Sequence, residues 1–346
     1  MGSSSSGESG QLLSSPRIPW KVRLFLSVST FFVDLSCRPN HTFNRALFNL
    51  VDRKSPAGTT ARRVRSSDVT VDPATRLWFR LFVPETASRV GLPVVIYFHG
   101  GGFVCMSANS RPYHDLCARL AYELDAVVVS VNYRLAAEHK CPAQYEDAER
   151  VLAFLAGRGS DVLPPKADLS KCFLAGDSAG ANIAHHLTVR ASKMRDESKV
   201  NILGVVAIQA FFFGEERTGS ETALRNLPVV NMKRTDWTCR AFLPEGADLD
   251  HPAINVIRAL GDAGSVEYPA TMVVVGGFDP LKDRQKMYYR ALKALGKEAY
   301  LVEYDNAFHT FYAFPEVPES AAMIAEIRDF MKAQMEKQDF SVNADE

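Results

Sequence analysis

The sequence predicts an α/β fold with a mainly parallel sheet covered by helices on both faces, and two observations carry that reading. Apolar, β-branched runs at about 69–84, 92–99, 126–134, 171–176, 203–210, 271–276 and 299–304 read as strands. Helical stretches at 113–123, 144–156, 282–295 and 321–335 fall between or after them, and parallel strands need such crossover connections. The chain has 346 residues and is 47% hydrophobic, enough to bury a large core. Nothing reads as a linker between two domains, so 16–346 is expected to form one unit. Within it, 16–60 is expected as an amino-terminal lid and about 215–265, which lacks a clear strand, as a cap insertion.

In chain order, residues 1–15 are Ser/Gly-rich and read as a disordered tail. The stretch from Leu24 to Val33 is apolar but too short to span a bilayer, and it follows a polar tail, unlike a signal peptide. It is expected as a lid helix. The strand Leu92-Pro93-Val94-Val95-Ile96-Tyr97-Phe98 runs directly into His99-Gly100-Gly101-Gly102-Phe103, a loop nearly without side chains. Backbone N–H groups in such a loop can approach a developing oxyanion closely, and each well-placed donor contributes about 3–4 kcal/mol to a transition state.

The strand Lys171-Cys172-Phe173-Leu174-Ala175 leads into Gly176-Asp177-Ser178-Ala179-Gly180, and Ala181-Asn182-Ile183-Ala184 reads as the start of a helix. Strand, G-x-S-x-G turn and helix make a nucleophile elbow, in which a serine Oγ stands exposed above the sheet. The pentapeptide alone is weak evidence; its pairing with the upstream glycine loop makes it specific. In this arrangement the acid and then the histidine follow the serine along the chain. Thr271-Met272-Val273-Val274-Val275 is a β-branched strand that places Asp279 just past its end, where catalytic groups collect in open α/β sheets. Ala299-Tyr300-Leu301-Val302-Glu303-Tyr304 is a further strand, followed by His309. Beyond the elbow helix the alternative histidine is His251, which has no strand before it. The residues thus point to Ser178, Asp279 and His309 as a catalytic triad.

On these motifs the chain resembles the plant carboxylesterases of the hormone-sensitive-lipase-like branch of the α/β-hydrolases, nearly end to end. Asn132-Tyr133-Arg134-Leu135-Ala136-Ala137-Glu138-His139 and Gly277-Phe278-Asp279-Pro280-Leu281-Lys282-Asp283 resemble further segments of that family. Ala137 and Ala210 stand where relatives tend to carry proline. The resemblance implies an α/β-hydrolase fold, Ser178 as nucleophile, His309 as general base and acid, Asp279 as its orienting partner, and Gly101, Gly102 and Ala179 as oxyanion-hole amides. Asn40-His41-Thr42-Phe43-Asn44-Arg45 and Leu50-Val51-Asp52-Arg53-Lys54 are similar to the lid region of the related gibberellin receptors. Those receptors have lost the catalytic histidine, which this chain retains as His309. Esterase-like cyclases of specialised metabolism share the fold and form a further alternative.

Forty basic and forty acidic residues cancel, and no basic stripe interleaves with aromatics, which leaves nucleic-acid binding without support. Six cysteines without C-x-x-C spacing read as free thiols of a reducing compartment, and the adjacent His185 and His186 splay to different helix faces. No cofactor and no metal are expected. The expected partner is a small apolar or aromatic ester, with Phe103, Phe211, Phe212, Trp237 and Phe311 as pocket residues. A cytoplasmic location is expected. Met1-Gly2-Ser3-Ser4-Ser5-Ser6 fits a myristoylation pattern, and a single acyl chain gives only marginal, reversible membrane association.

Overall fold

A computed structural model describes residues 15–344 apart from 59, 61, 86–90, 193–199, 228 and 261–267; the expected tail at 1–15 lies almost wholly outside the described residues. Eight strands form one sheet: β1 (Val64–Asp72), β2 (Leu77–Pro84), β3 (Leu92–Phe98), β4 (Val127–Asn132), β5 (Ala167–Asp177), β6 (Ile202–Ile208), β7 (Ala270–Phe278) and β8 (Ala299–Phe308). Their order is β1-β2-β4-β3-β5-β6-β7-β8. From β4 to β8 every pairing is parallel, and β1 and β2 add an antiparallel edge.

The run expected as one strand over 69–84 is two antiparallel strands. Asp72 breaks it: its carboxylate accepts from the Ala74 N–H (2.9 Å) and the Thr75 hydroxyl (2.8 Å), and Pro73 cannot donate to a ladder. The other expected strands are each present with shifted ends.

Strands buried on both faces read as continuous apolar runs, and period-2 alternation then sends neighbours to opposite cores. Val94, Ile96 and Phe98 of β3 join a core on one face with α4 (Ala143–Val162) and α5 (Ala179–Ala191). Val95 and Tyr97 join the opposite core with α3 (Arg111–Glu123) and α10 (Pro318–Ala344). A third core lies under α9 (Lys282–Ala294), around Val273, Val275 and Tyr288.

The amino-terminal segment carries α1 (Trp20–Ser36) and α2 (Arg45–Phe48), and the stretch after β6 carries α6 (Gly219–Ala223), α7 (Met232–Phe242) and α8 (Val256–Ala259). Phe25 of α1 packs edge-on against Phe314, beyond the end of β8 (5.8 Å between centroids). At its other end Asp34 receives a two-pronged bond from Arg234 of α7 (2.8 and 2.8 Å), and Trp237 Nε1 donates to the Arg38 carbonyl (2.7 Å). One helix of 17 residues therefore reaches from the histidine side of the sheet to α7. Arg45 of α2 donates to the carbonyls of Val104 (2.8 Å) and Ala136 (2.7 Å) and pairs with Glu138, tying this segment to the loop after β3. Among the described residues no helix is long and apolar enough to cross a membrane.

Candidate active site

Strand register assembles the site. Phe98 lies opposite Gly176, so the loop that follows β3 emerges beside Asp177 and Ser178. Asp177 lies opposite Ile208, which puts Gln209 next to the elbow, and Phe278 lies opposite Phe308, which puts Asp279 next to His309. Parallel strands deliver all of these residues to one edge of the sheet, their carboxyl ends.

Ser178 has φ 51° and ψ −117°, a left-handed conformation that costs a non-glycine residue of order 1–3 kcal/mol. The surroundings hold it: the Ser178 N–H donates to the Ile208 carbonyl (2.9 Å), and the Phe211 N–H donates to the Ser178 carbonyl (2.9 Å). The turn is tight enough that a Cβ on Gly180 would stand 1.9 Å from the Phe98 carbonyl oxygen, so glycine is required there. Ser178 is buried, and its Oγ makes no hydrogen bond among the described residues.

His309 Nδ1 lies 2.9 Å from Asp279 Oδ2, with both side chains buried. The same oxygen accepts from Gln285 Nε2 (2.9 Å), and Oδ1 accepts from the Leu281 N–H (2.9 Å). Three donors on an acceptor-only carboxylate place the imidazole proton on Nδ1 and leave Nε2 with its lone pair. Two residues that hold this pair went unread in the sequence. Gln285 comes from the first turns of α9. Gln209, fully buried with φ 45°, accepts from the Thr310 N–H (2.9 Å) and donates to the Phe308 carbonyl (3.3 Å), bracketing His309 on both sides. Gln209 leaves one unspecific signal, a polar residue just past an apolar strand, and Gln285 leaves none, being one polar residue among the charged ones that open α9.

In the glycine loop the N–H of Gly100 is already used, by Tyr113 Oη (2.9 Å) and Asp177 Oδ1 (3.0 Å). The N–H groups of Gly101, Gly102 and Ala179 make no hydrogen bond among the described residues. Gly101 (φ 100°) and Gly102 (φ 61°) adopt the left-handed backbone that glycine favours. His99 is wholly buried, stacked on Tyr133 (4.3 Å), with Nδ1 against the Gly100 carbonyl (2.8 Å); burial lowers its pKa to about 4, so it is neutral.

The five aromatic residues expected around a ligand do not share one place. Phe103 stacks on Phe242 (3.7 Å) and meets Phe211 edge-on (5.7 Å), and Trp237 packs on Phe43 (6.2 Å), all in the core that includes α2 and α7. Phe212 and Phe311 belong elsewhere. Phe212 follows a tight turn at Phe211, where its N–H donates to the Ala210 carbonyl (3.1 Å), and packs on Tyr288 (4.6 Å), while Phe311 sits in the turn after His309, facing the α10 core with Tyr304 (5.4 Å). His185 bonds the hydroxyls of Tyr268 and Tyr288 and His186 the Ala253 carbonyl, so each has its own partner. No group of metal-ligating side chains forms among the described residues, and all six cysteines are free.

Comparison with known proteins agrees with this architecture. A family model described as the alpha/beta hydrolase fold matches residues 95–313. A gibberellin receptor of Arabidopsis thaliana is 37% identical over 333 residues, covering 92% of this chain and 95% of the receptor. Carboxylesterase 20 of Arabidopsis thaliana is 33% identical over 293 residues, covering 80% of this chain and 88% of the esterase. Among solved structures, a hyperthermophilic esterase from the archaeon Pyrobaculum calidifontis superposes with a TM-score of 0.70 at 28% identity, covering 90% of this chain and 92% of that one. The chain belongs to the α/β-hydrolase family, in the branch that holds both plant carboxylesterases and gibberellin receptors.

Proposed function

We propose that the protein is a carboxylic-ester hydrolase that uses Ser178, His309 and Asp279. The observation that carries this reading is the His309 Nδ1···Asp279 Oδ2 bond of 2.9 Å, next to a serine held at φ 51° on a glycine-flanked turn. His309 Nε2 takes the Ser178 Oγ proton as the oxygen attacks the ester carbonyl. The resulting oxyanion is held by the N–H groups of Gly101, Gly102 and Ala179, which make no other hydrogen bond among the described residues. His309 then gives its proton to the departing alcohol, and water repeats the cycle on the acyl-enzyme, releasing the acid and restoring Ser178. Asp279 stays ionised and balances the imidazolium. This step requires Ser178 Oγ within hydrogen-bond reach of Nε2 in the substrate complex, and catalytic hydrogen bonds are commonly looser in the free enzyme. Phe103, Phe211 and Trp237, in one aromatic cluster against α2 and α7, favour a small apolar or aromatic ester.

A second reading, a gibberellin-type receptor, is favoured by the 37% identity that extends over 92% of this chain. Hydrolysis of a panel of aryl, benzenoid and aliphatic esters by the native protein and by Ser178→Ala, run beside a gibberellin-binding assay, separates the two. The esterase reading expects turnover that Ser178→Ala abolishes. Gibberellin binding without turnover would support the receptor, and a cyclised product of unchanged mass would support a cyclase.

A further inference from the structure

We infer that Asp177, the residue before the nucleophile, is a positioning residue that sets the oxyanion loop and the histidine loop at once; the inference rests on the esterase reading. Asp177 is wholly buried at the end of β5. Its Oδ1 accepts from Tyr97 Oη (2.7 Å) and from the Gly100 N–H (3.0 Å). Its Oδ2 accepts from Tyr113 Oη (2.8 Å) and Tyr312 Oη (2.5 Å). Four donors, two to each oxygen, saturate the carboxylate without water. Burial raises its pKa above the usual carboxylate value, and the three phenol bonds offset part of that rise. Burial raises the phenols themselves well above their ordinary value, so all three keep the protons they donate.

The donors come from different parts of the machinery. Tyr97 is on β3, Gly100 opens the glycine loop, Tyr113 is on α3, and Tyr312 lies in the 3₁₀ turn Phe311–Ala313 that follows His309. A buried carboxylate costs several kcal/mol to desolvate, and a well-packed apolar side chain would hold β5 at least as well. What the carboxylate adds is direction. Drawing the Gly100 N–H inward fixes the His99–Gly100 peptide immediately ahead of Gly101 and Gly102, whose own N–H groups make no hydrogen bond among the described residues. The approach is so close that a Cβ on Gly100 would stand 2.3 Å from Asp177 Oδ2. Through Tyr312 the same carboxylate anchors the chain three residues beyond His309.

Asp177→Asn keeps the shape but turns one acceptor oxygen into an NH2 donor, so whichever way the amide lies, two of the four donors lose their acceptor. The expected result is a fall in kcat of about 10²-fold, the scale of losing one oxyanion donor, with KM within about threefold. Affinity for a trifluoromethyl ketone, which must form the oxyanion, falls in the same proportion as kcat/KM, while affinity for the product acid is unchanged. Rates are expressed per site titrated by a fluorophosphonate, so loss of folded protein does not count. Tyr97→Phe and Tyr312→Phe each remove one donor and lower kcat about three- to tenfold, also without a change in KM; they decide the matter if Asp177→Asn does not fold. Variants that lose stability but turn over at the native kcat per titrated site would overturn the inference and leave the esterase reading standing. A native protein that hydrolyses no ester overturns both.

Discussion

Gln209→Ala is a test of how His309, the proposed base, is held. The side chain is fully buried and makes two bonds, from the Thr310 N–H at 2.9 Å and to the Phe308 carbonyl at 3.3 Å. Truncation leaves both backbone groups without a partner, at about 1–3 kcal/mol each, so the expected destabilisation is about 2–6 kcal/mol. Typical domains have about 5–15 kcal/mol in total, and the variant is expected to remain folded. Thr310 has φ 77°, a conformation that persists only where neighbours enforce it, and Gln209 is the neighbour that does. Without that bond the turn relaxes and His309 loses its alignment with Asp279; a displacement near 1 Å costs roughly 10²-fold in rate. Urea unfolding followed by tryptophan fluorescence gives the stability change, and steady-state hydrolysis gives kcat. An unchanged midpoint with kcat within twofold of native would refute the argument that Gln209 brackets the base.

Three further outcomes are expected. His99, wholly buried, and His186, half-buried against the Ala253 carbonyl, have pKa values lowered by desolvation to about 4, below the unfolded value of about 6.5. The unfolded chain therefore binds more protons between these limits, so stability is full above about pH 6.5 and declines as pH falls toward 4; urea midpoints measured from pH 7.5 to 5 should decrease steadily, and a flat profile would contradict the desolvation of both rings. Burial raises the thiol pKa of Cys105, Cys117 and Cys172 to about 12, so these thiols should react slowly with Ellman's reagent in the native protein, whereas all six cysteines titrate in denaturant. Arg45→Ala removes the bonds that tie α2 to Val104 and Ala136, and is expected to raise KM for a bulky aromatic ester several-fold more than for an acetyl ester, as measured by paired Michaelis–Menten curves.

What was legible in the sequence is what local chemistry encodes. The elbow at Gly176–Gly180 and the glycine loop after Phe98 each announce themselves within five residues, because a tight turn and free amides both demand glycine. The strands are equally plain, since burial on both faces leaves uninterrupted runs such as Val127-Val128-Val129. The rest depends on partners distant in the chain. Asp177 looks like an ordinary member of its motif until Tyr97, Tyr113 and Tyr312 converge on it. Gln209 and Gln285 gain meaning only from the loops they hold. Phe211 and Phe212 are indistinguishable as letters, yet the turn beyond β6 sends them to different cores. The break at Asp72-Pro73 was missed because apolar residues resume directly after the turn.

Reaction of the native protein with a fluorophosphonate, followed by peptide mapping in a mass spectrometer, addresses the central claim most directly. Only a serine beside a base is nucleophilic enough at neutral pH to be phosphonylated quickly. The account predicts one adduct per chain, on Ser178, with hydrolysis of esters lost in step with labelling and the reaction absent from His309→Ala. An adduct on another residue, or a protein that hydrolyses esters at full rate while Ser178 stays unmodified, would contradict it.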